Sequence, residues 1–438
     1  MTKEEKYSLA KWAMEHALKN GAQQASVIIS DSRSSSIEVR EQKIDKLEQS
    51  NQNGLSIRLF VDNKYSSHST NRLNKGDLER FIEEAIAATK YLSEDEFRAL
   101  PDPELYYKGG GADLQTVDTG FDNIDPQAKI DAAFAAEKEA YGKDERIISV
   151  SASYNDGING RVMVTSNGFE GDTSSSYFQL VASVSVKSDD ARPESYWYET
   201  AIFHDKLKKD GIGKIALERA LNKLGQDKIE SATLPMIVEN RSVGNLLGPL
   251  IGALSGSSIQ QKQSFLIDKI GEKIASEKLT VTDDPFIISG SGSQLFDGEG
   301  LAAKKRVVFD KGVLKTYFID TYYGKKLEME PTSGGTSNLV FELGNKDLKG
   351  LIASVEKGIL VTGFNGGNCN SSTGDYSYGI DGFLIEKGKI VKPVSEMNIT
   401  GNMKDLWMNI AELGNDANTN SSRRTPSILF SKVDFSGI

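Results

Sequence analysis

From Leu55 to Leu59 the chain alternates apolar and polar side chains without a break, Leu55-Ser56-Ile57-Arg58-Leu59, and a two-residue period of this kind buries one face of a β-strand. Strand patterns recur at Ala25–Ser30, at Ile37 and Val39, at Ile44 and Leu47, and again at Ile147–Tyr154, Arg161–Ser166, Tyr177–Val186 and Tyr196–Phe203. Asp62-Asn63, Asn155-Asp156-Gly157 and Asn167-Gly168 supply turn chemistry between the runs. The pattern predicts an N-terminal meander and a second antiparallel sheet between 147 and 203.

Helical periodicity brackets these strands. Glu5–Asn20 places Leu9, Trp12, Ala13, His16 and Ala17 at three- and four-residue spacings and stops at Gly21. Asp77–Leu92 carries an apolar stripe of Leu78, Phe81, Ile82, Ala85 and Ala88. Asp125-Pro126 is an N-cap followed by proline at the first helical position, opening a helix to about Tyr141, and Ile212–Leu224 is a helix ending at Gly225. Between 93 and 125 the pattern lapses into Pro101-Asp102-Pro103 and Gly109-Gly110-Gly111, the composition of a connector or long surface loop.

Beyond about Ser231 the chain turns glycine-rich and mostly β. Met236-Ile237-Val238, Arg306–Phe309, Leu314–Ile319 and Ile359–Thr362 read as strands, Leu384–Val391 as a hairpin turning at Gly388, and Met403–Glu412 as a helix ending at Gly414. No fixed-period repeat is present, which excludes solenoids and propellers. The fold class is α+β: N-terminal α+β units with antiparallel sheets, at 1–105 and 106–228, followed by a β-rich C-terminal domain at 229–438.

A net charge of −10 works against the phosphate neutralisation that drives nucleic-acid binding, so no direct nucleic-acid partner is expected. One cysteine, Cys369, forms no intrachain disulfide, and the charged N-terminus reads as an amphipathic helix rather than a signal peptide; both point to a cytoplasmic protein. The most apolar stretch, Leu246–Leu254, falls far short of the roughly 20 residues that cross a bilayer, so no membrane association is expected.

Common catalytic signatures are missing. Neither Gly-x-x-x-x-Gly-Lys-Ser/Thr nor Gly-x-Gly-x-x-Gly occurs, and His16, His68 and His204 are too far apart in sequence to share a helix face as zinc ligands. Each reads as a packed or solvated imidazole. Cys369, in Gly366-Gly367-Asn368-Cys369-Asn370, has no sequence neighbour to lower its pKa and reads as an incidental thiol. The pairs Asp189-Asp190 and Asp283-Asp284 suit acid/base or cation chemistry in principle, but adjacent acids usually form solvated turns. The glycine- and hydroxyl-rich stretch 370–383 suits either an exposed edge that binds an extended peptide through main-chain hydrogen bonds or a tight internal bend.

An ordered set of motifs then carries a resemblance. Thr373-Gly374-Asp375-Tyr376-Ser377-x-Gly379-x-x-Gly382-Phe383 runs on through Ile385-Glu386-x-Gly388-x-Ile390, Pro393-Val394-Ser395-Glu396, Ile399-x-Gly401-Asn402-Met403-x-Asp405-Leu406-Trp407-x-Asn409-Ile410 and Gly414-Asn415-Asp416. With Gly252-Ala253-Leu254-Ser255-Gly256-Ser257-Ser258, Ser264-Phe265-Leu266, Phe296-Asp297-x-Glu299-Gly300 and Thr321-Tyr322-x-x-x-Lys326-Leu327, it resembles the TldD/PmbA family, once called modulators of DNA gyrase, and within it the PmbA (TldE) branch. The match covers almost the whole chain.

The resemblance implies a zinc metallopeptidase system in which a TldD and a TldE subunit pair and cleave unfolded or short peptides. The TldD branch carries His-Glu-x-x-x-His, two ligands and a general base. That segment aligns here with Gly248-Pro249-Leu250-Ile251-Gly252-Ala253, so Gly248, Pro249 and Ala253 replace both ligands and the base with side chains that do neither job. The segment 421–426 also lacks the cysteine that the catalytic branch places near its end. By this reading the chain carries no catalytic residue and no cofactor, zinc belongs to a TldD-like partner, and Thr373, Gly374, Asp375, Tyr376 and Ser377 are candidates for a peptide-facing or interface surface. The remaining alternatives are a non-enzymatic homodimeric peptide-binding or regulatory protein, and an independent enzyme using carboxylates or an unrecognised metal site.

Overall fold

The structure, a computed structural model, describes residues 1–187 and 191–437. Helix α1 (Lys3–Lys19) opens with a capping box: Thr2 Oγ1 accepts from Glu5 N at 3.2 Å, and Thr2 N donates to the Glu5 carboxylate at 2.7 Å. Three strands follow, β1 (Gln24–Arg40), β2 (Lys43–Val61) and β3 (Lys64–Thr70), then α2 (Lys75–Thr89). After α3 (Pro126–Lys138) come β4 (Ile147–Thr165), β5 (Glu170–Val186), β6 (Glu194–Ala201) and α4 (Ile212–Asn222).

The strands expected to form a second sheet instead continue the first. All six make one antiparallel sheet in the order β3-β2-β1-β4-β5-β6. The reason is the length of β1, whose two halves serve two cores. Val27 and Ile29 pack with Val162 and Val164 beneath α1 and α2, while Ile37 and Val39 pack with Val150, Ala152 and Tyr154 beneath α3 and α4. A strand shared by two cores leaves no seam between sheets.

The turn expected at Asn155-Asp156-Gly157 is also corrected: β4 runs through it unbroken. Asp156 there is 1% exposed, accepts from Ser35 N at 3.1 Å and Ser35 Oγ at 2.5 Å, and pairs with Lys129 Nζ at 2.5 Å. Gly157 is needed mid-strand because a Cβ would meet the Tyr177 ring at 2.5 Å. The turn at Asn167-Gly168 does form, between β4 and β5.

The remaining chain lays down β7 (Ala232–Val238), α5 (Gly244–Gly252), α6 (Gly256–Gln260), β8 (Val281–Asp283), β9 (Arg306–Asp310), β10 (Val313–Leu314), α7 (Thr321–Leu327), β11 (Leu339–Phe341) and α8 (Leu348–Ala353). Then come β12 (Lys357–Cys369), β13 (Asp375–Glu386), β14 (Lys389–Asn402), α9 (Met403–Met408), β15 (Ile410–Leu413), β16 (Arg423–Arg424) and β17 (Ile428–Ser436). One sheet runs β14-β13-β12-β7-β17-β15, and an added β14–β17 pairing closes its first five strands on themselves. Closure removes the free edges an open sheet would expose. A second sheet, β10-β9-β8-β11-β16, packs into the same large core, and the β-rich domain expected here is present.

Two local readings change. The strand at Leu314–Ile319 reaches only Leu314, after which Phe318 bridges to Ser255. The helix at Met403–Glu412 stops at Met408, because Asn409 caps it and Ile410–Leu413 is drawn into pairing with β17.

Candidate functional site

Direct register aligns Ser26, Ile28, Ser30 and Ser32 of β1 with Arg58, Ser56, Gly54 and Gln52 of β2, and with Thr165, Met163, Arg161 and Asn159 of β4. These residues share the sheet face that points away from the helices, since Val27 and Ile29, one residue out of step, fill the helical core. The C-terminal domain covers this face through the loop Ser289–Phe296, with Thr336, Thr419 and Asn420, and encloses a cavity of about 1050 Å³. A smaller cavity of about 440 Å³, walled by Ser26, Arg58, Arg98, Asp297 and Glu299 among others, shares Gln294 and Thr336 with it.

The segment read as a connector is packed between the sheet and the C-terminal domain, and Ala112, Asp113, Leu114 and Thr116 line the chamber. Leu100, Tyr106, Leu114 and Phe121 are buried, Tyr107 N donates to Gly300 O at 3.0 Å, and Ser289 N donates to Leu114 O at 2.8 Å. At one end Tyr106, Phe169 and Phe296 cluster, with ring centroids 5.1 Å apart for the tilted pair Tyr106–Phe169 and for the edge-to-face pair Phe169–Phe296. On the opposite side Thr200 Oγ1 donates to Asn420 O at 3.2 Å. Most of the residues that line the chamber carry a hydroxyl or an amide, Ser30, Ser32, Ser56, Thr173, Ser175 and Asn159 among them, where a packed core would carry aliphatic groups. A face with this many hydroxyls and amides offers hydrogen bonds to a guest along its length.

Charge in the chamber is uneven. Arg161 spends one donor, Nε to Thr173 Oγ1 at 3.0 Å, and burial pushes its pKa below the ordinary guanidinium value, with Asp297 opposing and the like charge of Arg58 adding to the shift. Glu299 is half-buried and desolvation raises its pKa, although Thr321 N and Oγ1 both donate to Oε2 at 2.9 Å. Asp297 is held by Glu299 N, Leu301 N and Ser333 Oγ.

The positions aligned with a zinc motif do not fit a metal. Gly248 and Gly252 lie on the outer stripe of α5, whereas Ala253 is 1% exposed in the core, and Pro249 sits inside the helix with no N–H to give. Arg423 Nη1 lies 3.7 Å from where a Gly248 Cβ would be, and contacts Gly244 O at 3.4 Å. The fold thus brings the segment without a cysteine against the helix without histidines and puts a guanidinium between them, which repels a dication. Among the described residues no three His, Cys, Asp or Glu side chains lie together as a metal-binding group.

Thr373 and Gly374 end the turn that leads into β13, and Asp375, Tyr376 and Ser377 are its first residues. Thr373 Oγ1 donates to Asp375 Oδ2 at 2.7 Å, Asn402 Nδ2 donates to Asp375 Oδ1 at 2.9 Å, and these bonds hold the Asp375 carboxyl below its usual pKa. Gly374 has φ +86°, a conformation that favours glycine. β13 is paired on both sides, to β12 and β14, so the exposed edge considered for this stretch is not there, and Tyr376 and Tyr378 point into the core. None of the five lines the chamber.

The other candidates are scattered. His16 meets Glu83 at 3.2 Å, His68 meets Ser66 Oγ at 2.9 Å, and His204 meets Lys209 Nζ at 3.2 Å. Burial, reinforced by Asp375, raises the Cys369 thiol pKa. Asp283 is ion-paired to Arg306 at 2.9 Å and Asp284 to Lys305 at 2.8 Å, while Asp189-Asp190 lies outside the described residues. Sequence reasoning missed the chamber residues because they come from all six strands of the sheet and from loops as far away as 289–296, Thr336 and Asn420.

The fold is thus a six-stranded sheet with helices on one face and, over the other, a closed β-domain enclosing a polar chamber. Models of the PmbA/TldA metallopeptidase family match residues 25–89 (domain 1), 120–224 (central domain) and 231–437 (C-terminal domain), and the chain belongs to this family. A metalloprotease PmbA homolog of Haemophilus influenzae is 31% identical over 97% of this chain and 95% of its own. The metalloprotease PmbA of Escherichia coli O157:H7 is 28% identical over 94% and 92%. A crystal structure from Bacteroides thetaiotaomicron, described as a candidate modulator of DNA gyrase, has 53% identity and a TM-score of 0.98 over 100% of both chains. TldE from Thermococcus kodakarensis, at 21% identity, shares the fold with a TM-score of 0.87 over 98% of this chain and 100% of its own. Among the described residues no helix is long and apolar enough to cross a membrane.

Proposed function

We propose that this chain is the non-catalytic, PmbA/TldE-like subunit of a cytoplasmic peptidase that acts on unfolded or short peptides, paired with a TldD-like subunit that holds zinc. The observation that carries the reading is the Arg423 guanidinium beside Gly248, at the place where the resemblance expects ligands. The chamber supports the second half of the reading: it has the volume and the hydrogen-bonding groups along its walls to receive an extended chain.

Zinc per chain is measured by elemental analysis on this protein alone and after coexpression with a TldD-type protein of the same organism, with hydrolysis of unstructured peptides followed on both. Zinc and hydrolysis only in the mixed complex is the expected result. Zinc and hydrolysis in the isolated chain overturns the proposal, and a stable homodimer that binds peptides without cleaving them, with no mixed complex formed, replaces it with a binding or regulatory role.

A further inference from the structure

We propose that Arg58 and Arg161 form a carboxylate-binding subsite on the chamber's sheet face, which anchors the carboxylate of a bound peptide; the inference rests on the peptide-enclosing reading above. The two guanidiniums lie on one face, Arg58 in the row of Ser26 and Arg161 in the row of Ser30, one lining each of the adjoining cavities. Among the described residues neither has a carboxylate within ion-pair distance, and the only side-chain hydrogen bond of the pair is Arg161 Nε to Thr173 Oγ1. They sense each other electrostatically as like charges.

Neighbouring cations are treated differently. Arg98, on the same smaller cavity, is 3.4 Å from the Tyr322 ring centroid and 4.5 Å from that of Tyr65, and Arg306 is paired with Asp283. The acids across the cavity act on the pair only from beyond ion-pair distance: Asp297, whose charge favours the Arg161 cation, accepts two backbone N–H groups and a hydroxyl, Glu299 accepts from Thr321, and Asp320 caps Tyr323 N at 2.7 Å. Two partly buried, mutually repelling guanidiniums with unused forks cost free energy that a bound anion recovers. The wall behind Arg58 supports this, because Ser26 is 1% exposed and its Oγ has no hydrogen-bond partner. A carboxylate matches the planar fork, and a peptide carries one at its C-terminus or on an acidic side chain.

The test is fluorescence anisotropy on the full chain with an N-terminally fluorescein-labelled hexapeptide of glycine, serine and alanine, prepared as the free acid, as the C-terminal amide, and as the amide with one internal glutamate. The free acid is expected to bind about ten- to a hundredfold more tightly than the plain amide, the size of a lost charge-assisted hydrogen-bond pair. Arg58→Gln and Arg161→Gln are each expected to shrink that ratio. Tight binding of the glutamate-containing amide supports the subsite and assigns it to acidic side chains rather than chain ends.

Equal binding of all three peptides by the wild-type chain overturns the subsite while leaving the chamber a peptide site, and this comparison does not depend on how the variants fold. If no peptide binds, N-acetyl-alanine is titrated against the arginine Nε–H resonances. A shift at Arg58 or Arg161 that Arg58→Gln abolishes keeps the subsite and removes the peptide-enclosing reading. No shift overturns the proposal.

Discussion

Arg306 offers the sharpest test of how the C-terminal domain holds the chamber wall. Its guanidinium pairs with Asp283 at 2.9 Å, with the two side chains 12% and 3% exposed, donates to Thr332 O, to Ser333 O at 3.3 Å and to Gly335 O at 2.6 Å, and covers the Phe318 ring at 4.5 Å. Asp283 in turn accepts from Ser337 N at 2.7 Å and Ser337 Oγ at 2.5 Å, so the pair clasps 332–337, the segment that carries Thr336 to both cavities. Arg306→Met removes the counter-charge and strands Asp283, which costs about 3–5 kcal/mol for a broken buried pair. For a cooperative unit of about 200 residues that corresponds to a Tm lowered by roughly 6–20 °C.

Calorimetry gives the Tm, and hydrogen exchange reports the amides of 332–337, whose protection should fall more than that of the β12–β14 ladder. The double variant Arg306→Met with Asp283→Leu should recover about 0.5–3 kcal/mol of the loss, the coupling expected of contacting residues. A single-variant loss under about 1 kcal/mol, or a double variant no better than the single, refutes the claim that this buried pair holds the wall.

Further expectations are cheaper to check. Gly382→Ala pushes a Cβ to 2.0 Å from Leu360 O and should cost about 1–3 kcal/mol, whereas Gly363→Ala, whose Cβ meets only Asp381 Cβ at 3.9 Å, should cost under about 1 kcal/mol; urea melts of both compare them. Glu299, raised by burial, contributes stability that is fully present below its unfolded value of about 4.3 and lost as pH climbs through the folded pKa, so Glu299→Gln should stabilise the protein more at pH 8 than at pH 4. An equal gain at both pH values contradicts the shift. Iodoacetamide should label Cys369 more slowly at pH 7 than a free thiol does, and Asp375→Asn should speed it, since burial and Asp375 both disfavour the thiolate; a rate at or above that of the free thiol rules this out.

Much of the fold was legible because its signals are local. Gly21 after α1, Asp125-Pro126 before α3 and the Lys387-Gly388 turn between β13 and β14 each carry their geometry in a few consecutive residues. The readings that failed needed distant partners. Asn155-Asp156-Gly157 has the composition of a turn, yet Ser35, Lys129 and Tyr177 make it a strand. Ile410–Leu413 continues a helical pattern, yet β17 captures it as strand β15.

The sequence by itself determined the family, the α+β class and the lack of metal-binding side chains at Gly248, Pro249 and Ala253, because composition and ordered motifs do not depend on where the chain travels. Which strand β4 joins, that Arg423 lies against Gly248, and that Arg58 and Arg161 share one sheet face with no carboxylate among the described residues at ion-pair distance, came from the tertiary structure alone. Each of those depends on which residues meet across more than 30 positions of chain, and in a sheet a shift of one residue in register would have turned the same side chains to the opposite face.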